Sequence, residues 1–78
     1  MKHLAKTFEL IVDGVPYEVK ATPYEFNTET RYRVSFNGSP VYIFVWDGSL
    51  HKLTAIGNGT ESIPDSLEEA IAQRLLAA

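Results

Sequence analysis

The sequence predicts an α+β domain in which a five-stranded antiparallel β-meander packs against one C-terminal α-helix. Three observations support this fold class. Apolar and polar residues alternate in several short segments, a pattern typical of half-buried strands. Asp-Gly and Asn-Gly pairs separate these segments, and such pairs favour tight hairpin turns. Apolar residues at helical spacing occur in residues 64 to 77, near the end of the chain.

The first hairpin is predicted for residues 5 to 21. Its two halves alternate in polarity and are joined by Asp13-Gly14, a pair suited to the positive φ angles of a type I′ turn. A two-residue turn sets the register, so the apolar residues of both strands should lie opposite one another on one face. The predicted pairs are Val12 with Val15, Leu10 with Tyr17, and Phe8 with Val19.

Residues 22 to 30 are predicted to form a loop, because Pro23 and Asn27 interrupt the alternation. Tyr24 and Phe26 are expected to pack against the rim of the sheet. Alternation resumes at residues 31 to 36 and predicts the third strand.

The fourth strand is predicted at residues 41 to 46, a run of apolar and aromatic residues without a charge that suits an inner strand. Asn37-Gly38 and Pro40 precede it, and a loop of either two or four residues gives the same side-chain parity. In that register one face carries Val34, Phe36, Val41, Ile43 and Val45. A three-residue loop would reverse this assignment, since a slip of one residue turns every side chain to the other face.

The fifth strand is predicted at about residues 49 to 56, after a turn at Asp47-Gly48. A two-residue loop there would place His51 opposite Phe44, and Leu53 opposite Tyr42. Residues 57 to 60 are expected to be a flexible connection.

The helix is predicted for residues 64 to 77. Pro64 suits an early helical position, and Asp65 with Glu68 has the spacing of a capping box, with Ser66 and Glu69 as the competing pair. One apolar stripe is expected to dock on the sheet, and it consists of Leu67, Ala70, Ile71 and Leu75.

A single helix can shield only one face of the sheet, which we name the inner face; the opposite side is the outer face. The predicted inner face carries Phe8, Leu10, Val12, Tyr17, Val19, Tyr32, Val34, Phe36, Ile43 and Val45. The outer face would then hold an aromatic row with basic neighbours, which would be an apolar patch of functional size if exposed. This candidate interaction face consists of Arg31, Arg33, Tyr42, Phe44, Trp46, His51 and Leu53.

Three explanations of such a face remain open. The arginine stems, together with the curl of the sheet or the loop at 22 to 30, could cover the rings, which would make them structural. The face could bind another protein or a second copy of the chain, since aromatic residues and arginine are enriched in interface cores. It could also hold a small molecule, a peptide or single-stranded nucleic acid, because rings beside arginine suit stacked bases.

The composition narrows the class of protein. The 78 residues allow one domain, residues 1 to 78, and a partially closed small β-barrel capped by the helix is the alternative architecture. The net charge of −3 disfavours a nucleic-acid partner. No apolar run is long enough to span a membrane, and residues 1 to 4 do not begin a signal peptide, so we expect a cytoplasmic protein without membrane association.

The sequence contains no recognisable catalytic constellation. His3 and His51 are its only histidines, cysteine is absent, and no metal-ligand spacing or phosphate-binding loop occurs. We therefore predict no catalytic residue, no metal and no cofactor, and a small non-catalytic interaction module. The rival hypothesis is a ligand-binding or enzymatic domain centred on His51 with Arg31 and Arg33; a second alternative is single-stranded nucleic-acid binding by the same face.

Overall fold

A computed structural model describes residues 5–77 and confirms the predicted α+β meander. The five strands form one antiparallel sheet in the order β1-β2-β3-β4-β5, which is not closed into a barrel. His3 lies outside the described residues. The elements are β1 (Lys6–Val12), β2 (Val15–Phe26), β3 (Glu29–Phe36), β4 (Tyr42–Asp47), β5 (Lys52–Ile56), a 3₁₀ turn (Thr60–Ser62) and α1 (Asp65–Ala77).

The β1–β2 hairpin has the predicted register. Asp13 and Gly14 have φ angles of 52° and 77°, as a type I′ turn requires. All three predicted pairs are present: Val12 with Val15, Leu10 with Tyr17, and Phe8 with Val19.

The second hairpin is longer than the sequence indicated. The predicted loop at 22 to 30 is wrong, because β2 continues to Phe26 and β3 begins at Glu29, directly opposite. Asn27 and Thr28 alone form the turn, with φ angles of 51° and 66°. Thr28 is β-branched, and such residues seldom occupy this left-handed region, so the sequence carries no clear signal for the turn.

The turn between β3 and β4 has two residues, one of the two lengths considered from the sequence. Asn37 and Gly38 have φ angles of 49° and 76°. The Ser39 N–H donates to the Phe36 carbonyl at 2.9 Å, and the Phe36 N–H donates to Ser39 Oγ at 3.0 Å. These bonds close the hairpin at Phe36 and Ser39.

One extra residue follows this turn and changes the register of β4. Val34 pairs with Tyr42, whereas the two-residue turn alone would pair it with Val41. The returning strand therefore bulges between Ser39 and Tyr42, where Pro40 has no N–H to donate to the ladder. The pairing is the one that a three-residue loop would give. Every side chain of β4 therefore points to the face opposite the one predicted.

The predicted faces of β4 are therefore wrong. Tyr42 and Phe44 are buried beneath the helix, whereas Ile43 and Val45 point to the outer face. Phe36 stacks on Tyr42 with ring centroids 5.8 Å apart. Aromatic side chains bury about 150–250 Å² each, so this register gives the helix a larger apolar surface to cover than Ile43 and Val45 would.

The turn between β4 and β5 has four residues rather than two, because Asp47 pairs with Lys52. His51 therefore lies in the turn and not opposite Phe44. Leu53 opposes Trp46 rather than Tyr42 and is buried in the core.

The helix covers the inner face and contacts both edge strands, β1 and β5. Its apolar stripe is close to the predicted one, with four buried residues: Leu67, Ile71, Ala72 and Leu75. Glu68 does not act in the predicted capping box; its Oε2 accepts the backbone N–H of Ala55 in β5 at 2.9 Å. The Ser66 hydroxyl donates to Asp13 Oδ2 at 3.0 Å. These contacts tie the first turns of α1 to β5 and to the first hairpin.

Phe44 and Trp46 share a parity on β4, but truncating them should have different effects. Phe44 is fully buried and Trp46 is 48% exposed. Phe44→Ala should lower the free energy of unfolding by about 3–5 kcal/mol, which is most of what a domain of this size has. Trp46→Ala should cost about 1 kcal/mol, because half of its side chain already contacts water. Thermal unfolding followed by circular dichroism measures both; equal losses would contradict this assignment of β4.

Replacing Thr28 by glycine should stabilise the second hairpin. A non-glycine residue in the left-handed region costs roughly 1–2 kcal/mol, and glycine removes that strain. The greater freedom of glycine in the unfolded chain offsets part of the gain, so we expect a net increase of about 1 kcal/mol in the free energy of unfolding. Urea unfolding measures it. The matched control is Thr30→Gly within β3, which should destabilise; a loss of stability in both variants would disprove strain at Thr28.

Candidate interaction face

Two rows of side chains cross four strands on the outer face. In the first row, Tyr24 of β2 pairs with Arg31 of β3, which pairs with Val45 of β4, and Val45 pairs with Thr54 of β5. Directly paired residues project from the same side of a sheet, so the row is continuous. The second row lies beside it and consists of Thr22, Arg33, Ile43 and Ile56. We call these eight residues, together with Phe26, the outer patch.

Arg31 is held in place by two contacts. Its guanidinium lies over the Phe26 ring at 4.4 Å from the centroid, and its Nε donates to Glu29 Oε2 at 2.7 Å. The side chain is only 24% exposed. A cation–π contact together with an ion pair leaves this arginine largely satisfied within its own hairpin.

Arg33 is held differently. Its guanidinium lies over the Tyr24 ring at 4.1 Å from the centroid, but it forms no ion pair with any residue in the range 5–77. The residue is exposed. Thr22 and Ile43 flank it on the neighbouring strands. The Arg33 guanidinium of the outer patch therefore contacts an aromatic ring but has no carboxylate partner among the described residues.

The apolar part of the patch is partly buried without any helix above it. Val45 is 9% exposed, between Arg31 and Thr54 in its row. Ile56 remains 40% exposed and Phe26 47% exposed. β4 contributes aliphatic residues to the outer patch because it is apolar on both faces. Tyr42 and Phe44 point into the core, and Ile43 and Val45 point into the outer patch.

The structure does not bring the predicted interaction face together. Arg31 and Arg33 lie in the outer patch as expected, but the aromatic row predicted beside them points the other way. Tyr42, Phe44 and Leu53 are buried in the core. Trp46 has the parity of Phe44 and is half-exposed at the end of the strand, while His51 is exposed in the turn at a φ of 56°.

Sequence reasoning missed the aromatic residues that do accompany the arginines. Tyr24 and Phe26 alternate with their neighbours at the period of a strand, but Pro23 and Asn27 made the segment resemble a loop. Ile43 and Val45 were missed because the extra residue after the Asn37-Gly38 turn reversed β4. Ile56 was not placed beside Ile43 because the turn before β5 has four residues and not two.

The Asp47 carboxylate organises the turn that carries His51. Its Oδ1 accepts the Ser49 hydroxyl at 2.7 Å, the Ser49 N–H at 3.0 Å and the Leu50 N–H at 3.2 Å. The hydrogen bond from the Ser49 hydroxyl is the main cause that lowers the pKa of Asp47 below its ordinary value, with the Leu50 N–H next. Three donors to one oxygen explain the role of Asp47 without a catalytic partner.

Concave surface occurs on the inner side of the sheet. A cleft of about 120 Å³ is lined by Lys6, Ala21, Pro23, Tyr32 and Leu75. Within the described range, 5–77, no cluster of histidine, aspartate and glutamate side chains is arranged to hold a metal ion. The only α-helix of that range is too short and too polar to cross a bilayer.

The hydrogen bonds to Asp47 predict a pH-dependent difference between the wild type and Asp47→Asn. Because the folded state lowers the pKa of Asp47, its charged form stabilises the fold above the ordinary aspartate pKa of about 3.9. That contribution is lost as the pH falls through this value towards the lower folded one. The wild type should therefore unfold at higher urea than Asp47→Asn near neutral pH, and the two midpoints should converge in acid. A difference independent of pH would contradict the contribution of charge.

Comparison of the chain with protein-family models, with curated proteins and with solved structures finds no match. A proposal for the role of the outer patch therefore rests on its own geometry and charge.

Proposed function

We propose that this protein is a small non-catalytic interaction module and that the outer patch binds another protein. One observation carries the proposal: on the sheet face turned away from the helix, two adjoining rows place a tyrosine and three branched aliphatic side chains among two arginines and two threonines. Contiguous patches of this kind on a small protein commonly mark interaction sites.

The residue types of the outer patch support a protein partner. Tyrosine, phenylalanine and arginine are enriched in the buried cores of protein interfaces, where they combine large contact areas with directed hydrogen bonds. The patch is also rigid, because its side chains project from paired strands and both guanidinium groups are held over rings. Little side-chain freedom would be lost on binding, which favours affinity.

Charge argues for a different protein as the partner rather than a second copy. Arg31, Arg33 and Glu29 lie together at the patch. Pairing the patch with itself about its centre would bring together four guanidinium groups and two carboxylates, so like charges would meet in a desolvated interface. A partner that supplies carboxylates avoids this repulsion.

A nucleic-acid partner is less well supported. Tyr24 and Phe26 each have one ring face covered by a guanidinium, which removes half of the surface available to a stacked base. The net charge of −3 also opposes the binding of a polyanion.

The absence of catalysis and the cytoplasmic location stay predictions.

Selection from a displayed library of random short peptides tests the proposal. Peptides that bind the immobilised wild-type domain should lose at least about tenfold in affinity for Ile56→Asp, because a carboxylate would enter the apolar part of the patch and cost more than a kilocalorie per mole. The matched control is Leu76→Asp, since Leu76 is a similarly exposed aliphatic residue on α1. This control should bind the peptides as well as the wild type does.

Two results would contradict the proposal. The first is a set of selected peptides that bind Ile56→Asp and the wild type equally, or no enrichment at all. The second concerns self-association: sedimentation equilibrium at high micromolar concentration should show a monomer, and a dimer that dissociates in Ile56→Asp would assign the patch to a second copy of the chain.

A further inference from the structure

The two arginines of the outer patch are not equivalent. Arg31 already has a carboxylate, since Glu29 Oε2 lies 2.7 Å from its Nε. Arg33 has no such neighbour within residues 5–77 and is held only by the Tyr24 ring, 4.1 Å from the guanidinium carbon. A guanidinium can stack on a ring and still use its in-plane N–H groups for a bidentate bond to a carboxylate. Arg33 is therefore positioned for a carboxylate from outside the chain.

The neighbours of Arg33 favour such a contact. Ile43 lies directly opposite on β4, with Ile56 beyond it on β5. A partner that covers these isoleucines would exclude water from the guanidinium, which strengthens a charge-assisted hydrogen bond. Thr22 on the other side offers a hydroxyl close to the same position.

The outer face limits how much negative charge the partner can carry. Glu29 lies beside Arg31, and Glu9 and Glu18 oppose one another farther along this face, beyond Lys20. These carboxylates would repel a continuous run of phosphates or acidic residues along the sheet. An isolated carboxylate between apolar side chains meets Arg33 without that repulsion.

We propose that Arg33 binds a carboxylate of the partner, and that the partner contributes a protein segment in which an aspartate or glutamate is flanked by apolar residues. This inference rests on the proposed function of the outer patch and names the chemistry that the patch selects.

The test uses the peptides selected on the wild-type domain, each paired with a twin in which aspartate and glutamate are replaced by asparagine and glutamine. On the wild type, the acidic peptide should bind about tenfold to a hundredfold more tightly than its amide twin, as for a hydrogen bond between charged groups. On Arg33→Gln the two should bind alike. Arg33→Lys, which keeps the charge but lacks the planar fork, should retain only part of the preference.

Lys20→Gln is the matched control, because Lys20 is a cation on the same face outside the two rows. It should leave the preference for the acidic peptide unchanged. Circular dichroism of Arg33→Gln should show a folded domain, since Arg33 is exposed and loses only the contact with Tyr24.

The outcomes separate this inference from the proposed function. Acidic and amide peptides that bind equally, yet fail to bind Ile56→Asp, would overturn the role of Arg33 and leave the outer patch as an interaction surface. A preference that survives in Arg33→Gln would also overturn it. Selected peptides that bind Ile56→Asp and Arg33→Gln as tightly as the wild type would overturn both proposals, and so would a selection that yields no peptides. Salt-sensitive binding of a single-stranded oligonucleotide that displaces the peptides would assign Arg33 to phosphate instead.

Discussion

One extra residue between β3 and β4 determines what each side of the sheet contains. The turn at Asn37-Gly38 needs no more than two residues, yet the strand that follows pairs one position later than that turn would dictate. Every side chain of β4 is reversed as a result. The helix therefore covers Tyr42 and Phe44, and the arginines of β3 lie beside Ile43 and Val45.

This constraint makes β4 part of two apolar clusters at once. Tyr42 and Phe44 pack under α1 in the core, and Ile43 and Val45 form the middle of the outer patch. A strand with both faces apolar suits a central position in a sheet, where a partner covers each side. In this molecule the helix covers Tyr42 and Phe44 on one side, whereas Ile43 on the other side is only partly buried.

The predictable features of the fold are the local ones. The first hairpin, the Asn37-Gly38 turn, the meander and the stripe of α1 follow from patterns within a few residues of one another. The segment 22 to 30 could not be assigned, because Pro23 and Asn27 are typical of loops although β2 and β3 pair on both sides of the turn. Thr28 gives no signal for the left-handed turn position that it occupies. The face to which each side chain of β4 points depends on the bulge at Pro40. The residue types around a bulge do not predict how many residues it contains. Arg31 and Arg33 were therefore placed on the correct face with the wrong neighbours.

The hydrogen bond between Glu68 and Ala55 has a consequence for the addition of further strands to the sheet. β5 is an edge strand, and a free N–H on such a strand can template the addition of another chain. The Glu68 carboxylate accepts the Ala55 N–H and has no donor of its own, so an added strand cannot pair at this position while α1 is docked. The same helix shields Tyr42 and Phe44 of β4. If the helix undocked, the unpaired edge of β5 and the apolar inner face would be exposed together. That combination favours the polymerisation of β-rich proteins into fibrils.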